Sequence, residues 1–166
     1  MKYFFRLACA IILSVLLVAC GQTLSLYEGQ GFSIRYPQGW TVSTVDKAVL
    51  ITISHADRNL KRVDGTLTVT VQPLNNEDFA ALQKANEETL KNTSVNLNFQ
   101  TDRVKVNNQD TTLWKYERTG TDNKKTFFRQ AMVTGKGLIY TITALGEESV
   151  SVSDLEESIK SFSFPN

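Results

Sequence analysis

Cysteine and histidine are nearly missing from these 166 residues, with two of the first and one of the second. Cys9 lies inside an apolar stretch near the start, and Cys20 closes that stretch. Removal of residues 1–19 and modification of Cys20 would leave no thiol for a disulfide, a thiolate metal site or a cysteine nucleophile. The lone histidine, His55, falls short of the several nitrogen or sulfur ligands that zinc and copper sites usually need, even with Asp57 two residues on. It also leaves a Ser-His-Asp triad without a plausible serine. Ser54 is its sequence neighbour, and no Gly-x-Ser-x-Gly elbow exists. No phosphate loop or dinucleotide fingerprint is present. An excess of one charge is missing too. The 18 Lys and Arg against 17 Asp and Glu give a net of +1. Loss of Lys2 and Arg6 with the first 19 residues, and of no acid, turns this into −1, so there is no bulk electrostatic case for nucleic acid. The acids fall mostly in helix caps and on helix faces, where a structural role suffices. These absences make a non-enzymatic protein without a cofactor or bound metal the expectation.

What is present begins with an address. Lys2 and Arg6 precede the apolar run Leu7 to Ala19, broken only by Ser14. This is the anatomy of a secretory signal, and it is too short for the roughly 20 residues that cross a bilayer core. Its last residues, Leu17-Val18-Ala19-Cys20, resemble a bacterial lipobox. The resemblance implies thioether acylation of Cys20, cleavage before it and acylation of the new amino terminus. Several acyl chains anchor stably where one binds only marginally. Residues 1–19 are thus read as a lipoprotein signal peptide, 20–26 as the lipidated cysteine and a short tether, and 27–166 as one domain. A six-residue tether, Gly21 to Leu26, reaches at most about 20 Å, so the domain works close to a bilayer on the extracytoplasmic side.

Along the domain, Phe32, Ile34 and Tyr36 alternate with Ser33 and Arg35 as a half-buried strand, turned at Pro37-Gln38-Gly39 before Trp40. Ala48 to Ile53 is nearly continuous in apolar residues. Ser54 to Asp64 reads as a polar loop carrying Arg58, Lys61 and Arg62. Leu67, Val69 and Val71 alternate with threonines until Pro73 ends the strand. The period then changes. Asn75 to Asn92 reads as an amphipathic helix, capped by Asn75 or Asn76, with Phe79, Leu82, Ala85 and Leu90 inward and Lys84, Glu87 and Glu88 wet. A meander follows over Leu97–Val106, Thr111–Thr119, Lys124–Thr134 and Leu138–Leu145, with Asn107-Asn108-Gln109-Asp110 and Gly135-Lys136-Gly137 as turns. Ser153-Asp154-Leu155-Glu156 is a capping-box pattern that opens a short helix with Leu155, Ile159 and Phe162 on one side. The order strands, helix, meander, helix is that of an α+β domain with an antiparallel sheet.

That order and three stretches within it resemble the PsbP-like superfamily, which includes DcrB-type bacterial lipoproteins. The stretches are Gly31-Phe32-Ser33-Ile34-Arg35-Tyr36-Pro37-Gln38-Gly39-Trp40, the meander around Trp114-Lys115-Tyr116 and Gly137-Leu138-Ile139-Tyr140-Thr141-Ile142, and Ser158-Ile159-Lys160-Ser161-Phe162-Ser163-Phe164. The resemblance implies an α/β/α sandwich, a central antiparallel sheet flanked by helices. It further implies a protein that binds rather than catalyses, associated with photosystem II where the source is photosynthetic. Family members with long insertions differ from this chain, and no aspartate/histidine cluster here matches the metal positions described for the family.

Trp40, Trp114 and Tyr116 are expected in the core, because large aromatics dominate core energetics. The basic residues Arg58, Lys61 and Arg62, with Lys124, Lys125 and Arg129, are the candidate docking residues for anionic head groups or an acidic partner surface. The expected partners are the membrane, through the lipid anchor at Cys20, and a membrane protein complex. The alternative is an envelope lipoprotein with a small ligand in a groove between the sheet and the helix Asn75–Asn92, lined by Tyr116, Tyr140 or Trp114.

Overall fold

Alternation along the strands builds the molecule. The computed structural model describes residues 24–43, 49–57 and 62–165. In β5 (Arg62–Pro73), Leu67 and Val69 are fully buried, while Thr66, Thr68 and Thr70 on the opposite face are half-buried. The same period repeats in β4 (Val49–Asp57), where Ile51 and Ile53 are buried, and in β9 (Leu138–Glu147), where Tyr140, Ile142 and Ala144 are. Together with β3 (Thr41–Ser43), β6 (Leu97–Val106), β7 (Gln109–Thr119) and β8 (Lys125–Gly135), these form a seven-stranded antiparallel sheet in the order β3-β4-β5-β9-β8-β7-β6. A separate two-stranded sheet pairs β1 (Leu24–Gly29) with β2 (Phe32–Pro37). The helices are α1 (Phe79–Asn92) and α2 (Val152–Lys160). The expected α+β class with an antiparallel sheet is thus found.

The two sheet faces are covered differently. On one, Leu155 and Ile159 of α2, Phe162 beyond it, and Phe32 and Ile34 of β2 close over Ile51, Ile53, Leu67, Val69, Ala131, Val133 and Tyr140. Phe162 stacks on Phe32 with ring centroids 5.1 Å apart, and meets Phe164 edge-on at 5.3 Å. On the other, Phe79, Leu82 and Leu90 of α1, with Leu74 and Phe99, pack against a smaller cluster of Trp114, Met132 and Ile139. No residue of α1 is fully buried.

Several boundaries move from the sequence expectation, each for a local reason. Leu24 to Leu26, read as tether, are the start of β1, whose turn Gln30-Gly31 has positive φ at both residues, the type I′ geometry of a two-residue hairpin. The turn after β6 is likewise only Asn107-Asn108, both at positive φ, so β7 begins at Gln109. The expected loop Ser54 to Asp64 is mostly strand. A register shift at His55/Ala56 lets pairing continue through Ala56↔Val63 to Asp57↔Arg62. Asn75 and Asn76 do not cap α1. Both take left-handed backbone in the preceding turn, and the cap is Asp78, whose carboxylate accepts the Ala80 amide at 2.9 Å. In α2 the cap is Ser151 rather than Ser153. Two side chains of α1 are also reversed. Ala85 faces outward, and Glu87, expected to be wet, turns in to accept the Trp114 indole N–H at 3.1 Å.

Candidate functional site

One end of the large sheet gathers most of the chemistry that is not core. We term it the proximal end, because the described chain starts there. Leu24 is opposite Pro37 in the small sheet, and the backbone N–H of Trp40 returns to the Pro37 carbonyl. Trp40 is 8% exposed and lies against Gly65, where an added Cβ would sit 2.7 Å from the indole ring. Glycine is required there for the close approach. The expected core roles of Trp40, Trp114 and Tyr116 are all met.

Beside Trp40 lies a polar triangle that sequence order does not reveal. Asp64 is 2% exposed, yet its two carboxylate oxygens are both engaged. His55 Nδ1 is 2.5 Å from one, and the Ser149 hydroxyl donates to the other at 2.8 Å. Burial pushes the Asp64 carboxyl up, but the His55 and Ser149 hydrogen bonds and the imidazole charge outweigh it, holding its pKa below the ordinary aspartate value. The imidazole is tilted over Trp40 with centroids 6.1 Å apart. Ser149 bonds to the aspartate and not to the histidine, so the three side chains are not arranged as a nucleophile with its base. Asp64 instead ties the β4–β5 hairpin to the β9–α2 connection. The bulge at His55 is the signal that brings these groups together, and it is invisible in sequence periodicity.

A second polar knot lies further along the sheet, beneath α2. Glu156 Oε1 accepts from Arg129 Nε at 2.8 Å and lies 3.1 Å from Lys115 Nζ, which also meets Asp102 at 2.6 Å. Burial raises the Glu156 pKa, but the bonds from Arg129 and Lys115 bring it below the ordinary glutamate value. The Asp102 and Glu156 carboxylates raise that of Lys115.

The candidate docking residues divide accordingly. Cys20, Arg58 and Lys61 lie outside the described residues, and of Arg62 only the backbone is described, at the start of β5. Lys124 and Lys125 come to the same end of the sheet as Arg62. Gly65 and Phe127 flank Gly146 in register, with only β9 between β5 and β8, about 10 Å apart. Lys124 is 4.0 Å from Glu147 and Lys125 is 3.5 Å from Glu117, both at exposed positions where such pairs bind weakly. Arg129 does not belong with them. Its guanidinium is held by Glu156 and by the Phe128 carbonyl, with the side chain only 12% exposed.

Apolar residues join the basic ones. Among the described residues the exposed large hydrophobics are Leu26, Val63, Val95 and Leu97. Val63 is the second residue of β5, Leu97 begins β6 opposite Glu117 and Val95 lies in the turn just before it, so these three also lie at the proximal end. Leu26 is two residues from the start of β1.

Of the residues named for a groove between the sheet and α1, Trp114 and Tyr140 do not line an open one. Trp114 is fully buried against the helix, Gln83 donates to Thr111 Oγ1 at 2.8 Å, and Tyr140 faces the opposite layer, because alternation along β9 places it with Ile142 and Ala144. Among the described residues no three His, Cys, Asp or Glu are grouped to hold a metal, and no helix is long and apolar enough to cross a membrane.

No family model matches the sequence, and no curated protein does. Solved structures match in fold. Cyanobacterial PsbP from Synechocystis sp. PCC 6803 aligns with a TM-score of 0.57 at 17% identity, covering 90% of this chain and 99% of its own. LpqN of Mycobacterium tuberculosis, involved in cell envelope biogenesis, aligns with a TM-score of 0.57 at 11% identity, covering 86% of this chain and 91% of its own. A Bacteroides thetaiotaomicron structure aligns with a TM-score of 0.54 at 15% identity over 88% of this chain, which spans only 50% of that one. The chain therefore has a PsbP-like fold.

Proposed function

We propose that this protein is a non-enzymatic, lipid-anchored accessory protein that works on a membrane protein complex from the extracytoplasmic side. The observation that carries the reading is the composition of the proximal end. Exposed Val63, Val95 and Leu97 lie there with Lys124, Lys125 and the Arg62 backbone, and Leu24 follows Cys20 by four residues, about 14 Å of chain at most. An acylated Cys20 would hold this end against the bilayer, where apolar tips enter the interface and each lysine or arginine near an anionic surface contributes about 1 kcal/mol. The fold likeness to cyanobacterial PsbP and to LpqN supports an accessory role in an envelope, or on a lumenal face with photosystem II if the source is photosynthetic.

The test has two parts. Cys20→Ser should move the protein from the membrane to the soluble exported fraction or leave it uncleaved. A processed form that stays tightly membrane-bound would overturn the anchor. Mild-detergent pull-down of the wild-type protein should then recover a defined membrane complex, and lose it with Lys124→Glu/Lys125→Glu. Recovery of no reproducible partner would overturn the accessory reading.

A further inference from the structure

The outer face of the small sheet is not packed on the core. Tyr27, Phe32 and Ile34 point inward, while Leu24, Leu26 and Glu28 of β1 share the outer face with Ser33 and Arg35, with Leu26 opposite Arg35 and Glu28 opposite Ser33. The C-terminal turn of α2 forms the facing wall, with Glu157 and Lys160, whose Nζ is 2.9 Å from Glu157 Oε1. Between them is an open cleft of about 440 Å³, within the size range of small-molecule sites. Its floor is rigid. The Ser33 and Ser163 hydroxyls are bonded to each other at 2.8 Å, their backbones form a two-way bridge, and Ser161 Oγ accepts the Arg35 amide at 2.8 Å.

The cleft's chemistry is specific. It presents two cations, two carboxylates and two leucines, and the negative end of the α2 dipole points into it. A simple anion would meet Glu28, Glu157 and the helix end. A simple cation would meet Arg35 and Lys160. A ligand carrying both charges, with an apolar part beside Leu24 and Leu26, satisfies all of them. We propose that this cleft binds the zwitterionic phosphoethanolamine head group of a glycerophospholipid. Its phosphate lies at Arg35 and Lys160, its ammonium at Glu28 and Glu157, and its glycerol end along Leu24 and Leu26. The choice of a membrane lipid as the source rests on the anchor reading, because Leu24 both lines the cleft and lies four residues from Cys20.

The experiment uses the Cys20→Ser protein recovered from the soluble exported fraction, titrated with dihexanoyl phosphatidylethanolamine below its micelle concentration and followed by amide NMR shifts. Saturable binding is expected, with shifts at Ser33, Arg35 and Ser161. Arg35→Ala/Lys160→Ala and Glu28→Gln/Glu157→Gln should each weaken it about tenfold or more, as expected for charge-assisted hydrogen bonds. Leu26→Asp should weaken it with all four charges intact. Free phosphoethanolamine should bind at least about tenfold more weakly, for want of the leucine contact. Absence of saturable binding, equal affinity for the phosphatidylglycerol analogue, or equal affinity for free phosphoethanolamine would overturn the proposal. Because this assay has no anchor, its failure is separate from failure of the anchor, which membrane fractionation of the wild-type protein reads.

Discussion

The two faces of the large sheet are built on opposite terms. One is sealed by α2, the β1–β2 hairpin and a cluster of phenylalanines, with the Glu156–Arg129–Lys115 knot beneath α2. The other is covered over β6–β9 by a helix with no fully buried residue, held partly by polar contacts from Gln83 and Glu87. Beyond that helix the rows Thr52, Thr66, Thr68 and Thr70 remain half-exposed. Stability is therefore concentrated in the first face, where apolar burial is complete. The second face is the part of the molecule with freedom to change.

Breaking the sealed face should cost most. Phe162→Ala removes a ring that is 1% exposed and touches Phe32, Tyr140 and Phe164. A loss of about 3–5 kcal/mol is expected in chemical denaturation, and a loss below 1 kcal/mol would mean that this layer is not the core. Next comes the polar knot on the same face. Glu156→Gln should cost about 1–2 kcal/mol at neutral pH, discounted for its partial exposure. The sign with pH is fixed by the lowered pKa. The wild-type contribution is complete above the ordinary glutamate value of 4.5 and fades as pH falls through the lower folded value, so the gap between variant and wild type should close on acidification. A gap that stays constant down to acid unfolding would show that the carboxylate charge is not the source.

On the second face, Leu82→Ala should cost only about 1 kcal/mol, because that side chain is half-buried. Amides of α1 should exchange before those of α2 in hydrogen-exchange experiments. Equal protection of the two helices would erase the contrast. The smallest effect should be a gain. Asn86 Nδ2 is buried without a hydrogen-bond partner, and Asn86→Leu should stabilise by about 0.5–1 kcal/mol. Destabilisation there would show that the amide is satisfied in solution.

Much of the sealed face was legible in the sequence. The alternations at Phe32-Ile34-Tyr36 and Leu67-Val69-Val71, and the Leu155-Ile159-Phe162 spacing, directly encode which side is covered. The second face was misread at Glu87 and Ala85, because helical period locates a stripe but cannot rank a weak one against an indole N–H needing an acceptor. Of the basic segments named from sequence, Lys124 and Lys125 come to the same end of the sheet as the start of β5, while Arg58 and Lys61 lie outside the described residues. Arg129 shares a face of β8 with Lys125 but lies four residues, about 13 Å, further along the strand, where Glu156 holds it. Asp64 escaped notice because its burial depends on a bulge one strand away. The cleft escaped because Leu24–Leu26, the first half of β1, was read as tether, and the left-handed Gln30 of the β1–β2 turn is not a residue that announces a hairpin.

The bridge between Ser33 and Ser163 joins positions 130 residues apart, and the Phe32–Phe162 stack lies beside it. Strands β1 and β2 leave the ribosome first, and in an exported chain they also cross the membrane first. They cannot dock until residues 162–164 have followed them through. The meander β6–β9, with its tight local turns, can assemble on its own schedule, so this bridge acts as the clasp that closes last. In an exported chain such an order would keep the polypeptide threadable and postpone commitment to the final shape until the whole domain had crossed.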